Sequence, residues 1–83
     1  MEIQKQFDLA FKFHREKNFI EAKKIYEKIL TIKPNYKEVL FLLGTLLLQI
    51  EDLKKAEIYL IKAIEADPNY AQSHNNLGII FRK

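Results

Sequence analysis

The chain repeats itself at a spacing of 34 residues, and this period constrains its fold more than any other feature. Shifted by 34 positions, the segment KPNYKEVLFLLGTLL (33–47) falls on DPNYAQSHNNLGIIF (67–81). The shift places Pro34 on Pro68 and Gly44 on Gly78. A period of this length indicates stacked helical units, each too small to bury its apolar face alone.

Within each unit the apolar residues recur at helical spacing. In FIEAKKIYEKIL and LKKAEIYLIKAI they lie three and four positions apart, with lysine and glutamate on the opposite face. Both prolines follow such a segment, where a helix that cannot continue should end. The pattern predicts five helices, at about residues 2–16, 19–32, 36–50, 53–66 and 70–82.

These positions resemble the tetratricopeptide repeat (TPR) family. In that family a first helix carries a large residue, Leu-Gly and an aromatic residue. A second helix carries Ala, an aromatic residue and Ala, and a Pro closes the unit. The middle unit here has residues at the matching places: Leu40, Leu43, Gly44, Leu47, Ala56, Leu60, Ala63 and Pro68. The resemblance implies an all-α fold, a right-handed TPR-like α-solenoid of antiparallel helix pairs with two full repeats plus one extra helix.

We expect one TPR-like domain over residues 1–83, with repeats at about 3–36 and 37–70 and a partial repeat at 71–83. Leu77, Ile80 and Phe81 should then lack the second helix that they would pack against. Two explanations are open: the chain is the N-terminal part of a longer protein, which we favour, or this face pairs between copies as a homo-oligomer.

Four local expectations follow from the helix pattern. Asn18 should adopt the left-handed conformation between the first two helices, and Asp52 should cap the fourth. Gly44 and Gly78 should allow close approach of the paired helix, with alanines as its partners. The two histidines should differ: His14 should lie at the surface on the inner face, and His74 should replace a partly buried core residue. The alanine partners are Ala22, Ala56 and Ala63.

The sequence carries no recognisable catalytic or metal-binding constellation. It has no cysteine and only two histidines, 60 residues apart at positions 14 and 74. Its carboxylates are scattered among lysines, as on a solvated helix face. We therefore expect no enzyme activity, no metal and no cofactor.

Charge and hydropathy bear on two further classes of partner. The net charge is +3, but glutamates interrupt the lysines of the outer helices, so no basic stripe for nucleic acid is formed. The most apolar stretch, VLFLLGTLLLQI (39–50), is shorter than the roughly 20 residues needed to cross a bilayer. Without a secretory signal either, we expect a cytoplasmic protein that binds neither nucleic acid nor membrane.

In TPR proteins the first helix of each pair lines a concave groove that binds peptides or helices. The resemblance places nine residues of this chain in that groove: Phe7, Phe11, Phe41, Leu42, Thr45, Leu48, Asn75, Asn76 and Ile79. One TPR subfamily holds a C-terminal carboxylate with a clamp of Lys, Asn and Arg, but the matching places here include Phe7, Phe11 and Leu42. Another TPR pattern is a row of asparagines that hydrogen-bond the backbone of an extended peptide. This chain matches that pattern only at Asn76.

We interpret the chain as a non-catalytic protein–protein interaction module with an apolar groove for a peptide or helix partner. The alternative is an N-terminal targeting, assembly or self-association module of a larger transferase, such as a glycosyl-, sulfo- or methyltransferase.

Overall fold

The computed structural model describes residues 2–82, which form five α-helices and no strand. The helices are α1 (Ile3–Arg15), α2 (Phe19–Ile32), α3 (Lys37–Gln49), α4 (Leu53–Ala66) and α5 (Ala71–Phe81). Each predicted helix is confirmed, with ends that differ by at most one residue. The predicted α-solenoid is also confirmed: α1 pairs with α2, α3 pairs with α4, and α5 packs on the second pair.

The core lies between the helices of each pair and between the pairs. Small residues at the crossings let the helices approach, and large aliphatic and aromatic residues fill the remaining space. These core side chains are almost fully buried: Ala10, Ala22, Tyr26, Ile29, Val39, Leu40, Leu43, Leu46, Leu47, Ala56, Leu60 and Ala63.

The turns within the two units have the same backbone geometry. Lys17 and Glu51 both have φ 63°, in the left-handed region. The next amide donates to the carbonyl five residues back, from Asn18 N to Phe13 O at 2.8 Å and from Asp52 N to the equivalent carbonyl at 2.9 Å. This is the Schellman arrangement that ends a helix. The expectation that Asn18 would be left-handed is therefore wrong, because that conformation falls one residue earlier.

Asp52 caps α4 as expected, although weakly. Its Oδ1 accepts a hydrogen bond from Lys55 N at 3.5 Å. Asn18 occupies the same place before α2 but makes no side-chain cap bond. The two turns thus share their backbone geometry while their cap side chains differ.

The glycines differ in what surrounds them. A Cβ built on Gly44 would lie 2.8 Å from Leu60 Cγ and 3.3 Å from Leu60 N. The close approach predicted at Gly44 is confirmed, but its partner is Leu60 rather than an alanine. A Cβ on Gly78 would meet only Nη2 of Arg82, at 3.7 Å. No paired helix approaches Gly78 within the described residues.

Two positions on α3, and the two equivalent positions on α5, are buried where these helices pack against the rest of the stack. On α3 these are Val39 and Leu46, both fully buried. On α5 they are Ser73, also fully buried, and Ile80, which is 9% exposed. The expectation that Ile80 lacks a partner is therefore wrong, because it packs backward into the core.

Ser73 leaves a polar atom inside this contact. Its Oγ is buried and has no hydrogen-bond partner among residues 2–82. Ser73→Ala removes an unsatisfied hydroxyl without adding volume, so we expect the free energy of unfolding to rise by about 1 kcal/mol. Urea denaturation followed by circular dichroism measures this change.

A matched control lies one residue earlier on the same helix. Gln72 is exposed, so Gln72→Ala changes helix propensity without removing a buried polar group. We expect the gain at Ser73 to exceed the gain at Gln72. Equal changes at the two positions would show that the buried hydroxyl costs nothing.

Candidate functional site

The family register assigns α1, α3 and α5, the first helices of the three units, to the inner surface of the stack. Six of the nine residues predicted for the groove are apolar. Phe11 and Ile79 are 39% and 40% exposed. The other four, Phe7, Phe41, Leu42 and Leu48, are half-buried and pack against the core. We call these six residues the apolar groove.

Two phenylalanines of the apolar groove also pack against the tyrosine that ends their own unit. The ring of Phe7 stacks on Tyr36 with centroids 5.7 Å apart, and Phe41 contacts Tyr70 at 5.2 Å. Each tyrosine precedes the first helix of the next unit, so the same joint occurs twice at the repeat spacing. Sequence reasoning missed this role of the tyrosines, although their recurrence in both PNY segments was the available signal.

The three predicted polar residues are not equivalent. Thr45 Oγ1 donates to Phe41 O and accepts from Asn76 Nδ2, both at 2.9 Å. Asn75 is exposed. Thr45 and Asn76 therefore link α3 to α5 across the groove floor, and Asn75 is the more accessible amide.

Cationic side chains lie over several of these rings. The guanidinium of Arg15 lies 5.4 Å from the Phe11 centroid, and Lys33 Nζ lies 4.6 Å from that of Tyr36. Such contacts place positive charge along the edge of an otherwise apolar surface.

One ion pair joins the start of α3 to the residue that follows α4, within the second unit. Lys37 Nζ donates to Asp67 Oδ2 at 2.7 Å and lies 5.7 Å from the Tyr70 centroid. That hydrogen bond raises the pKa of Lys37 and lowers the pKa of Asp67, which also accepts from Asn69 N. Both groups therefore stay charged at neutral pH, and this lysine is engaged within the chain.

His14 is buried, so the expectation that it lies at the surface is wrong. Its Nδ1 lies 3.1 Å from the Tyr26 hydroxyl, and its Nε2 lies 2.6 Å from Gln49 Oε1. Since the amide oxygen of Gln49 can only accept, Nε2 donates, and Nδ1 accepts from Tyr26. Burial also raises the pKa of Tyr26, which keeps that hydroxyl protonated as a donor. His14 thus joins α1, α2 and α3.

His74 is exposed, so the expectation of a partly buried position is also wrong. Its Nε2 bonds to Pro68 O at 3.0 Å. Among residues 2–82 no second helix of the third unit covers this position.

The residues that the structure describes show no arrangement for catalysis or metal binding. No group of three or more His, Asp and Glu side chains converges on a possible ion site within residues 2–82. His14, the buried histidine, has both ring nitrogens within hydrogen-bond distance of side chains of the chain itself.

The outer surface, formed by α2 and α4, is charged and mixed in sign. Lys24 pairs with Glu21 at 3.8 Å. A depression of about 510 Å³ lies where the two units meet on this side, and its lining carries both signs of charge. The residues that line it are Pro34, Asn35, Lys62, Glu65 and Ala66. None of them belongs to the predicted groove.

None of the helices between residues 2 and 82 is both long enough and apolar enough to cross a bilayer.

Comparison with known proteins gives one family match. A family model described as tetratricopeptide repeat matches residues 13–77. The chain is also similar to mouse protein O-mannosyl-transferase TMTC3, with 32% identity over 66 residues. That alignment covers 80% of this chain but 7% of the mouse protein.

Two solved structures resemble the fold closely. A mutant O-GlcNAc transferase of Thermobaculum terrenum aligns with a TM-score of 0.89 and 28% identity, over 94% of this chain and 15% of that chain. The first TPR domain of Spaghetti (RPAP3), bound to an HSP90 peptide, aligns with a TM-score of 0.93 and 18% identity. That alignment covers 98% of this chain and 64% of the RPAP3 chain. The chain thus spans a small part of both transferases.

Proposed function

We propose, from the premise that the chain belongs to the tetratricopeptide repeat family, that its apolar groove binds a peptide or helix of a protein partner. TPR domains generally mediate protein–protein interaction, and one of the similar structures holds a peptide. In this proposal the chain is a non-catalytic module whose specificity comes from apolar side chains on α1, α3 and α5.

The exposure of Phe11 and Ile79 is the observation that carries this proposal. They occupy equivalent positions on α1 and α5, 39% and 40% exposed, while four further apolar side chains lie half-buried on the same surface. Large apolar side chains grouped in a concave surface favour a binding site over an ordinary solvated face. Two rings of this set, Phe7 and Phe41, pack against Tyr36 and Tyr70.

The chemistry of the groove favours an apolar or amphipathic ligand over a C-terminal carboxylate. The TPR structure bound to an HSP90 peptide belongs to another protein at 18% identity, so it supports the fold and not the ligand. Clamp positions in this chain hold Phe7, Phe11 and Leu42, none of which can bind a carboxylate by charge. We therefore expect the ligand to insert aliphatic or aromatic side chains.

A random peptide library displayed on phage tests the proposal without a known partner. Immobilised wild-type protein should enrich peptides with apolar residues at helical or extended spacing. The double variant Phe11→Ser and Ile79→Ser should weaken binding of the selected peptides by about tenfold or more, since buried aromatic anchors dominate such contacts.

The matched control is Leu9→Ser. Leu9 is 40% exposed but lies outside the predicted groove. We expect this variant to bind the selected peptides as the wild type does. If no peptide is enriched, or if the control weakens binding as much as the double variant, the groove is not the binding surface.

The second candidate function is an assembly or targeting module within a larger transferase. It is favoured by the similarity to an O-mannosyl-transferase and an O-GlcNAc transferase, of which the chain covers 7% and 15%. An antibody raised against residues 2–82 distinguishes the cases in the source organism. A product near 9.9 kDa supports a free-standing module, and a much larger product supports the transferase.

We also propose a cytoplasmic location and no binding to nucleic acid or membrane. The absence of cysteine and the mixed charge of α2 and α4 support this. Fluorescence microscopy of a tagged chain and a salt titration with an oligonucleotide check the two statements.

A further inference from the structure

The turn between α1 and α2 and the end of α3 surround a pocket of about 410 Å³ that the proposed function does not use. Its lining comes from two units: Lys17, Asn18, Phe19, Ile20, Lys23 and Ile50. None of these residues belongs to the apolar groove. We call this separate feature the turn pocket.

The apolar part of the lining is largely exposed to solvent. Ile20 is 70% exposed and Ile50 is 45% exposed. Phe19 is half-buried, and its ring lies edge-on to that of His14, with centroids 5.8 Å apart. Phe19 is therefore a packed wall, whereas two large aliphatic side chains line the pocket without being covered by the chain.

The charged part of the lining is positive. Lys17 and Lys23 line the turn pocket, whereas no aspartate or glutamate does. Glu21 on the same helix pairs with Lys24 at 3.8 Å, and Glu51, in the turn before α4, is not part of the lining. Within the described chain neither lining lysine forms an ion pair. Two ammonium groups thus lie beside the apolar wall without a fixed counter-charge.

The second repeat shows that a turn of this kind does not require such a lining. The turns before α2 and α4 have the same backbone geometry, with φ 63° at the equivalent residue. Phe19 keeps an apolar counterpart, Leu53. The other four positions hold Lys17, Asn18, Ile20 and Lys23 in the first unit, and Glu51, Asp52, Lys54 and Glu57 in the second. The positive charge and the exposed isoleucine of the first unit are therefore not consequences of the repeat fold.

The exposure of the walls favours a protein segment over a small molecule as the occupant. Small-molecule sites bury about 70–90% of the surface of their ligand. Walls that are themselves 70% and 45% exposed, as Ile20 and Ile50 are, do not enclose a small ligand to that extent. A protein segment covers such walls from outside, because its neighbouring residues exclude water from the contact.

We propose that the turn pocket is a second docking site, which binds an acidic protein segment through a leucine or phenylalanine flanked by aspartate or glutamate. The apolar side chain of the segment covers Ile20 and Ile50, and its carboxylates lie near the ammonium groups of Lys17 and Lys23. The proposal goes beyond the apolar groove and does not rest on it, since the two surfaces share no residue.

Titration of ¹⁵N-labelled protein with a synthetic peptide, followed by NMR, tests the proposal. The probe is acetyl-Asp-Glu-Leu-Phe-Glu-Asp-amide, and in the matched peptide Asn and Gln replace the four acidic residues. The acidic peptide should shift the amide signals of residues 17–23 and 50. The neutral peptide should bind at least about fivefold more weakly. Equal binding of the two peptides, or shifts confined to the apolar groove, would overturn the proposal.

Ile20→Gln tests the apolar contact. It should raise the dissociation constant of the acidic peptide at least about fivefold, because it removes an aliphatic wall of the pocket. The matched control is Ile58→Gln on α4, where Ile58 is 52% exposed but does not line the pocket. This control should bind as the wild type does. An equal loss at Ile58 would mean that the peptide does not use the turn pocket.

The double variant Lys17→Gln and Lys23→Gln tests the charge. It should weaken the acidic peptide at least about fivefold and leave the neutral peptide unchanged. Replacement of the exposed Lys54 and Lys55 of α4 by glutamine changes the net charge equally and should have no such effect. Equal losses in the two double variants would show that net charge alone attracts the peptide, which contradicts a site at the pocket.

The remaining comparisons distinguish this site from other sites and occupants. The groove variant Phe11→Ser and Ile79→Ser should bind the acidic peptide as the wild type does, so a failure of the groove proposal leaves this one intact. Octanoate should bind more weakly than the peptide, and vesicles of phosphatidylglycerol should not sediment with the chain. Octanoate that binds as tightly would make the pocket a small-molecule site instead. Sedimentation with vesicles that is lost in Ile20→Gln would assign the pocket to a membrane surface, and either result refutes a protein segment as the occupant.

Discussion

Replacement of His14 by alanine is expected to lower the free energy of unfolding by about 3 kcal/mol. The imidazole is 9% exposed and packs edge-on against Phe19 and Tyr26, so its loss leaves a cavity where three helices meet. It also removes the acceptor of the buried Tyr26 hydroxyl, which lies 3.1 Å from His14 Nδ1. Urea denaturation measures the change, which is a large part of the stability of a domain this small.

A double-mutant cycle separates the hydrogen bond from the packing. His14→Leu fills most of the volume but leaves the Tyr26 hydroxyl unsatisfied, and Tyr26→Phe leaves the imidazole without its donor. The double variant removes both polar groups, so we expect it to cost less than the sum of the single variants, by about 1 kcal/mol or more. Additive single changes would show that the His14–Tyr26 bond contributes nothing.

The repeat period and the helical spacing were sufficient to predict the helices and their pairing. Both signals are contained in the order of residues along the chain: the apolar stripe of α2 recurs 34 residues later in α4. Burial of an individual side chain depends on what covers it. His14 is buried because Gln49 and Tyr26 reach it from other helices, and a repeat register does not contain that information.

For the apolar groove, the sequence could predict which residues belong to it but not what each side chain contacts. The family register assigns Phe7 and Phe41 to the inner face. It does not reveal that the two rings are held by Tyr36 and Tyr70. Phe11 and Ile79 are the exposed members of this set. Replacement of Phe41 by alanine would also remove its contact with Tyr70, so that variant does not test the groove alone. Binding by this surface remains a prediction.

Alanine at Gly44 and alanine at Gly78 are expected to change stability in opposite directions. A Cβ on Gly44 would have to displace Cγ of Leu60, 2.8 Å away, and approach its backbone N, 3.3 Å away. Overpacking of this kind costs about 1–3 kcal/mol. It should exceed the gain of about 1 kcal/mol in helix propensity. We expect Gly44→Ala to destabilise the fold by up to about 2 kcal/mol in urea denaturation.

At Gly78 the same substitution has no such cost. The nearest atom to the added Cβ is 3.7 Å away, at the end of a side chain that can move. Gly78→Ala should therefore raise the free energy of unfolding by about 0.5–1 kcal/mol in urea denaturation. The two substitutions at equivalent positions thus differ in sign because, among residues 2–82, a paired helix approaches Gly44 but not Gly78.

A chain extended after Lys83 by a second copy of residues 50–70, which completes the third unit, makes the cause of this difference testable. Once a helix of the α4 pattern packs on α5, Gly78 has the same surroundings as Gly44, including a leucine at the crossing. Gly78→Ala should then destabilise the extended chain by up to about 2 kcal/mol, the reverse of its effect in the wild-type chain. A stabilising effect in both chains would mean that the added helix does not approach Gly78. The close packing at Gly44 would then be specific to the second unit and would not follow from the repeat.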